Sequence, residues 1–288
     1  MVSMAKQARG SSRRRPGHSR ARRWRIWVQA AFLLAWLDPL MLRVHTVCSP
    51  VFHCYSCPLA TFACPIGVLA NFSALGQIPY LAIGTLLVVG ASVGSLVCGW
   101  ACPFGFLQDL FGRIPTHKFM LPVWLGYCRY AVLGGLVLWI PYVYGEGHPL
   151  FFCSVCPAGA AEGALPHVAG LALAGQAIDW PGATKIVILL VFVGLALCTW
   201  RPWCTLFCPL GAVYSLCNRF SLVFVRLAPE ACTECDLCRD LCHLRGPSER
   251  RAGPGRCIRC LECTGCGAIG IGTALGPRRK TPVAGAGS

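Results

Sequence analysis

The chain has 288 residues, of which 55% are hydrophobic and 13% charged, and a mean hydropathy of +0.57. That balance excludes an ordinary soluble domain and reads as a membrane protein with a small polar appendage. The formal net charge of +15 is unevenly placed, and its 21 cysteines fall at apolar helix ends and in cluster-like spacing, which argues for redox-metal use over a secreted disulfide scaffold.

Residues 1–23 form a basic arm that reads as disordered and cytoplasmic. Its Arg22-Arg23 pair stands before an apolar stretch, as in a twin-arginine export signal, but no small-residue cleavage site follows. Nucleic-acid binding is disfavoured by the membrane segment directly behind it. The plain reading is a solvated arm that orients the first helix.

Residues 24–226 predict a four-helix transmembrane domain. Its spans are Trp24–Leu42, Ile78–Val97, Leu121–Tyr144 and Ile186–Trp203, each near the ~20 residues that a hydrocarbon core of about 30 Å demands. The arm, the 99–120 connection and the segment after Cys204 carry Lys or Arg, whereas His45–Gln77 and Gly145–Thr184 carry none. The positive-inside rule then puts both termini in the cytoplasm of a multi-pass inner-membrane protein.

Cys-Pro-x-Gly begins at Cys64, Cys102, Cys156 and Cys208. The second and fourth copies extend to CxxxCPxG through Cys98 and Cys204, at the predicted inner ends of helices. This order reads as an internal duplication of a two-helix unit. Proline after cysteine marks a turn or a new helix start, and a helix N-terminus favours thiolate. Cys98, Cys102, Cys204 and Cys208 would therefore form a four-sulfur group if the halves pack side by side, either a further cluster or exchangeable dithiols. Packing is the bland alternative, and it suits Cys128, Cys198 and Cys217.

On the outer side, Cys48, Cys54, Cys57, Cys64, Cys153 and Cys156 crowd into two loops. Structural disulfides, redox-active dithiols and a metal site all fit there. His45 and His53 flank the group. Asp38 and Arg129 are ionisable groups within spans, read either as a quinone head-group site or as snorkelling side chains.

Residues 227–274 carry two cysteine runs, and 275–288 form a disordered tail. The first run is Cys232, Cys235, Cys238 and Cys242, and the second is Cys257, Cys260, Cys263 and Cys266. Three thiolates at i, i+3 and i+6 can grip three corners of an iron–sulfur cube, with the fourth ligand coming from the other run. On that rule Cys232, Cys235, Cys238 and Cys266 hold cluster 1, while Cys257, Cys260, Cys263 and Cys242 hold cluster 2. Structural zinc is the alternative. Two features depart from the pattern. His243 replaces the usual proline, and the second run is one residue short before Cys266, where Gly265 and Gly267 supply backbone freedom.

The paired CxxxCP motifs CGWACPFG and CTLFCPLG, the stretch CYSCPLATFACPIG and the two tail runs resemble the NapH/MauN family of membrane-bound ferredoxin-type proteins, its methylamine-utilisation members above all. The resemblance covers roughly residues 25–270. It implies a mainly α fold with four spanning helices, plus a small C-terminal two-[4Fe–4S] ferredoxin-like domain. It also implies electron exchange with quinol or quinone, or with a periplasmic dehydrogenase or its maturation factors. The expected function is electron transfer, as a carrier or as a quinol dehydrogenase component, with Arg239, Arg256 and Arg259 favouring the reduced clusters. A membrane thiol or metal reductase using Cys54, Cys57, Cys153 and Cys156 is the first alternative, and a redox sensor is the second. No nucleotide fingerprint appears.

Overall fold

The computed structural model describes residues 20–37, 64–173, 175, 177, 182–234, 236–244, 253 and 255–274. Cys48, Cys54, Cys57, His45, His53, Asp38 and Cys235 lie outside them.

The described chain is mainly helical. Helix α1 (Arg20–Leu37) is followed by α2 (Pro65–Ala74), α3 (Tyr80–Val93), α4 (Leu96–Trp100) and α5 (Pro103–Gly112). Next comes α6 (Val123–Tyr144), which widens to π-helix over Val132–Trp139. Helix α7 covers residues 157–173, α8 is Ala183–Cys198 and α9 is Pro209–Cys217. The tail begins with strand β1 (Val223–Leu227), turns through α10 (Leu237–Leu241) and closes with β2 (Ile269–Thr273). The strands pair antiparallel, from Val223 opposite Thr273 to Leu227 opposite Ile269.

Among the described residues, α6 alone is both long and apolar enough to cross a membrane. A continuous apolar helix thus stands where the third span is expected, starting two residues after its predicted start. The second and fourth expected spans are interrupted. Helix α3 has 14 residues and α8 has 16, about 21 and 24 Å at 1.5 Å per residue.

Each interruption has a local cause. Helix α3 stops at Gly94, with φ +56°, where any Cβ would meet Asn218 Oδ1 and Arg259 Nη1. Helix α8 stops where Thr199 turns extended and bridges Phe119, whose N–H donates to the Cys198 carbonyl at 2.8 Å. Arg201 then takes φ +50° ahead of Pro202. The two regions read as outer loops are helical in part, because their CPxG motifs start α2 and α7.

Packing brings the two halves together. Phe104 of α5 stacks on Phe192 of α8 at 5.0 Å, and Trp203 meets both edge-on. Leu86, Cys98 and Tyr214 form a second buried cluster, joining α3, α4 and α9. Cys217 is buried against Gly90, whereas Cys198 is exposed. Apolar side chains also cover outward faces: Leu87 and Val88 on α3, Trp139 and Tyr142 on α6, Val187 and Leu190 on α8.

Candidate functional site

The CPxG motif is a sulfur cap. Cysteine takes the N-cap, proline the first helical position, and the glycine N–H donates back to the cysteine Sγ. That bond measures 3.4 Å for Gly67 to Cys64, 3.3 Å for Gly105 to Cys102 and 3.4 Å for Gly211 to Cys208. Proline loses nothing there, because its missing N–H has no intrahelical partner. The two inner copies share a further feature. A Cβ on Gly105 would sit 3.2 Å from the Cys98 carbonyl oxygen, and one on Gly211 would sit 3.1 Å from that of Cys204. In both copies the glycine lets the chain fold back over the first cysteine of CxxxC.

Cys98, Cys102, Cys204 and Cys208 are thereby drawn together. Burial, then Cys204, Cys98 and Cys102, push the Cys208 thiol well above its ordinary value. Buried Gln108 donates to Cys204 Sγ at 3.2 Å and accepts from the Trp203 N–H at 3.1 Å.

Beside these thiols lies a buried ionic network. Asp109 accepts from Arg201 Nε at 2.6 Å and Nη2 at 2.5 Å, and it also pairs with Arg25 Nη2. Arg201, 0% exposed, donates to the Cys98 carbonyl at 3.0 Å. Arg25 donates through Nε to the Gly99 carbonyl at 2.9 Å and through Nη1 to Glu262 at 2.5 Å. Burial alone would raise the Asp109 carboxyl. Arg201, by charge and hydrogen bond, and then Arg25 and Arg113 hold it below its ordinary value.

The tail's second run docks beside this network. Ser95 Oγ and Asn218 Nδ2 both donate to the Cys257 carbonyl, at 2.6 and 2.9 Å. Trp100 Nε1 donates to the Arg259 carbonyl at 3.3 Å. Gly99 lies so close that a Cβ there would collide with the Ile258 carbonyl oxygen. Arg259 inserts beneath α3, donating to the Val93 carbonyl at 2.9 Å, the Asn218 carbonyl at 3.1 Å and Ser221 at 2.5 Å. It is a docking pin as well as a nearby charge. Arg256 reaches the Leu121 carbonyl at 3.3 Å, and Arg239 is exposed. Arg129 is turned toward the tail too, donating to the Gly255 carbonyl while its guanidinium lies 5.0 Å from the Tyr130 ring centroid.

Cys242, Cys257, Cys260 and Cys263 line one concavity with Arg25 and Trp200, about 490 Å³ with its open mouth included. His243 stacks on Trp200 at 4.0 Å and lies 3.6 Å from Glu262. Burial, eased by Arg25, pushes the Cys260 thiol to about 12. Burial, then Cys260, Cys257 and Cys242, do the same to Cys263. Buried thiols that raise one another in this way become thiolates only beside strong positive charge, which a metal cluster supplies.

The backbone fits such a cluster as well. Glu234 (φ +52°) and Asp236 (φ +54°) flank the second cysteine of the first run, as Arg259 (φ +51°) and Leu261 (φ +61°) flank that of the second. Left-handed residues cost L-amino acids roughly 1–2 kcal/mol each, and they aim successive N–H groups into an anion-binding hollow of the kind that holds iron–sulfur centres. Among the described residues, no three His, Cys, Asp or Glu side chains close around a single metal ion.

Cys156 stands at the N-cap of α7, packs against the same cluster as Trp203 and Leu210, and comes within electrostatic reach of Cys64 and Cys153. Burial pushes its thiol to about 12.

The 4Fe–4S binding domain family matches the chain twice, over residues 75–122 and 182–227. Each match contains one CxxxCPxG motif, and the tail runs lie outside both. MauN, the methylamine utilization ferredoxin-type protein of Methylorubrum extorquens, is 28% identical over 210 residues, 68% of this chain and 61% of that protein. The ferredoxin-type protein NapH of Haemophilus influenzae is 25% identical over 205 residues, 64% of this chain and 62% of that protein. This chain is similar to the ferredoxin-type proteins MauN and NapH. An uncharacterized protein of Methanocaldococcus jannaschii, MJ0750, is 29% identical over 231 residues, 74% of this chain and 87% of its own length. The match thus spans most of that protein but only about three-fifths of MauN and NapH. No solved structure matches the chain significantly.

In the sequence, the cysteines were the part of this candidate site that could be read. The residues that sequence reasoning missed are Asp109, Gln108, Arg201 and Glu262, together with the buried role of Arg25. One signal was present: Asp109 is among only 11 acidic residues and sits inside an apolar stretch.

Proposed function

We propose that this protein is an integral-membrane electron carrier of the NapH/MauN family, with two [4Fe–4S] clusters in its tail. Cys232, Cys235, Cys238 and Cys266 would hold one cluster, and Cys257, Cys260, Cys263 and Cys242 the other. The observation that carries the reading is the single pocket lined by Cys242, Cys257, Cys260 and Cys263, set against the loop that follows Cys98. The four inner cysteines form a third redox centre. Its support is the double match to a 4Fe–4S binding family at those two motifs.

Membrane integration is supported by the length of α6 and by the apolar outward faces of α3, α6 and α8, since soluble chains rarely expose such continuous apolar surface. With the cation-rich segments inside, the tail lies in the cytoplasm of a bacterial cell and the Cys64–Cys153–Cys156 group on the opposite side. The clusters, when bound, supply one-electron chemistry, and the chain's own residues bury, orient and electrostatically bias them. Electrons then pass between the tail and quinone or a periplasmic dehydrogenase. The name of its relative MauN, a methylamine utilization protein, supports methylamine utilisation as the setting.

Anaerobic purification with iron and sulfide counts plus EPR tests this directly. About eight irons are expected for the tail alone and about twelve if the inner cysteines hold a further cube. A colourless, iron-free or zinc-only protein refutes the proposal. Cys260→Ser is expected to lose about four irons.

The gathering of Cys64, Cys153 and Cys156 keeps a second reading in view, that of a membrane thiol reductase. Changing Cys153 and Cys156 to Ser is expected to leave cluster reduction by quinol unaltered. Loss of disulfide-dependent reoxidation in that variant would favour the reductase instead.

A further inference from the structure

We infer that Arg25, in the first turns of α1, is a positioning residue for the tail's second redox pocket and sets its potential. The inference rests on the two-cluster reading above. Arg25 is only 5% exposed and lines the pocket with Cys242, Cys257, Cys260 and Cys263. Its guanidinium ties three distant segments together: the Gly99 carbonyl beside Cys98, Asp109 of α5, and Glu262 between Cys260 and Cys263. A planar fork makes all three contacts at once, whereas an ammonium keeps the charge and only part of that geometry.

Charge accounting gives the guanidinium a second role. Arg25 and Arg201 face Asp109 and Glu262, and Glu262 lies on the cluster's own loop. With Arg25 in place, the Glu262 carboxylate is compensated. Without it, the pocket keeps a buried negative charge beside the centre that must accept an electron, and reduction becomes harder. Arg201 cannot substitute, because both its carboxylate contacts go to Asp109 and its remaining arm goes to the Cys98 carbonyl. One residue thus fixes the second run on the inner loop and supplies its positive counter-charge.

The test is a redox titration followed by EPR on the full chain, anaerobically purified in detergent, with iron counted in each sample. Wild type is compared with Arg25→Gln and Arg25→Lys. In Arg25→Gln the midpoint of one tail cluster is expected to fall, its reduced-to-oxidised ratio at fixed potential dropping about tenfold, which is 59 mV for one electron. The other tail cluster should stay in place, and Arg25→Lys should recover most of the shift. Should Arg25→Gln lose one cluster's iron while Arg25→Lys keeps it, the counter-charge role also stands. An unmoved midpoint in fully loaded Arg25→Gln overturns the inference, as do equal shifts in both clusters or equal losses in Lys and Gln. An iron-free wild type removes the two-cluster reading and this inference with it. A loaded wild type with an unmoved Gln variant removes this inference alone.

Discussion

Asp109→Ala is expected to lower stability by about 3–5 kcal/mol, because it leaves the guanidiniums of Arg25 and Arg201 buried without their shared carboxylate. At ~2–4 °C per kcal/mol for a chain of this size, thermal unfolding in detergent should fall by about 10 °C. A change below about 2 °C would show that the network contributes nothing. The wild type also has a pH signature. The folded Asp109 carboxyl lies below its ordinary value, so its contribution is fully present above the unfolded carboxylate value of about 3.9 and is lost as pH falls through the lower folded value. The difference between wild type and Asp109→Ala should therefore be constant from pH 7 to 5 and shrink only below about pH 4.

Gly99→Val is expected to separate the tail from the inner loop. A side chain at Gly99 collides with a backbone atom, the Ile258 carbonyl oxygen, which cannot swing aside as a flexible side chain could. Overpacking of this kind costs about 1–3 kcal/mol, and 2 kcal/mol shifts an open-to-closed ratio ~30-fold. Limited proteolysis of the tail should accelerate by that order while the helices stay protected. Gly194→Ala in α8 is the control, since a Cβ there meets nothing within 4 Å. Equal tail protection in Gly99→Val and wild type would mean that the docked arrangement is not held in solution.

How much of this was legible beforehand depends on the range of the cause. Proline after cysteine is a local constraint, so the starts of α2, α5, α7 and α9 could be read from four residues each. The long helix over Val123–Tyr144 was visible because Arg129 alone interrupts its apolar run with a charge. The break at Gly94 was not, since its cause is Asn218 and Arg259, more than a hundred residues away. Nor was the early end of α8, which depends on Phe119 pairing with Thr199. Arg25 read as one of many arm cations, and only its meeting with Asp109 and Glu262 gives it a different role. Arg129, read as a quinone-site or snorkelling residue, reaches Gly255, a contact that its sequence neighbours do not announce. Where function depended on which distant segments meet, composition and spacing carried no record of it.

The pairing of β1 with β2 has a consequence for how such a chain can change. Val223 lies opposite Thr273, so the polypeptide departs for the cysteine runs and returns from them at one doorway. Everything between is a detour that begins and ends at a single hinge point. A detour of that shape can be lengthened or exchanged for another wiring module so long as the replacement keeps the contacts that Arg259 and Glu262 make with α3 and α1.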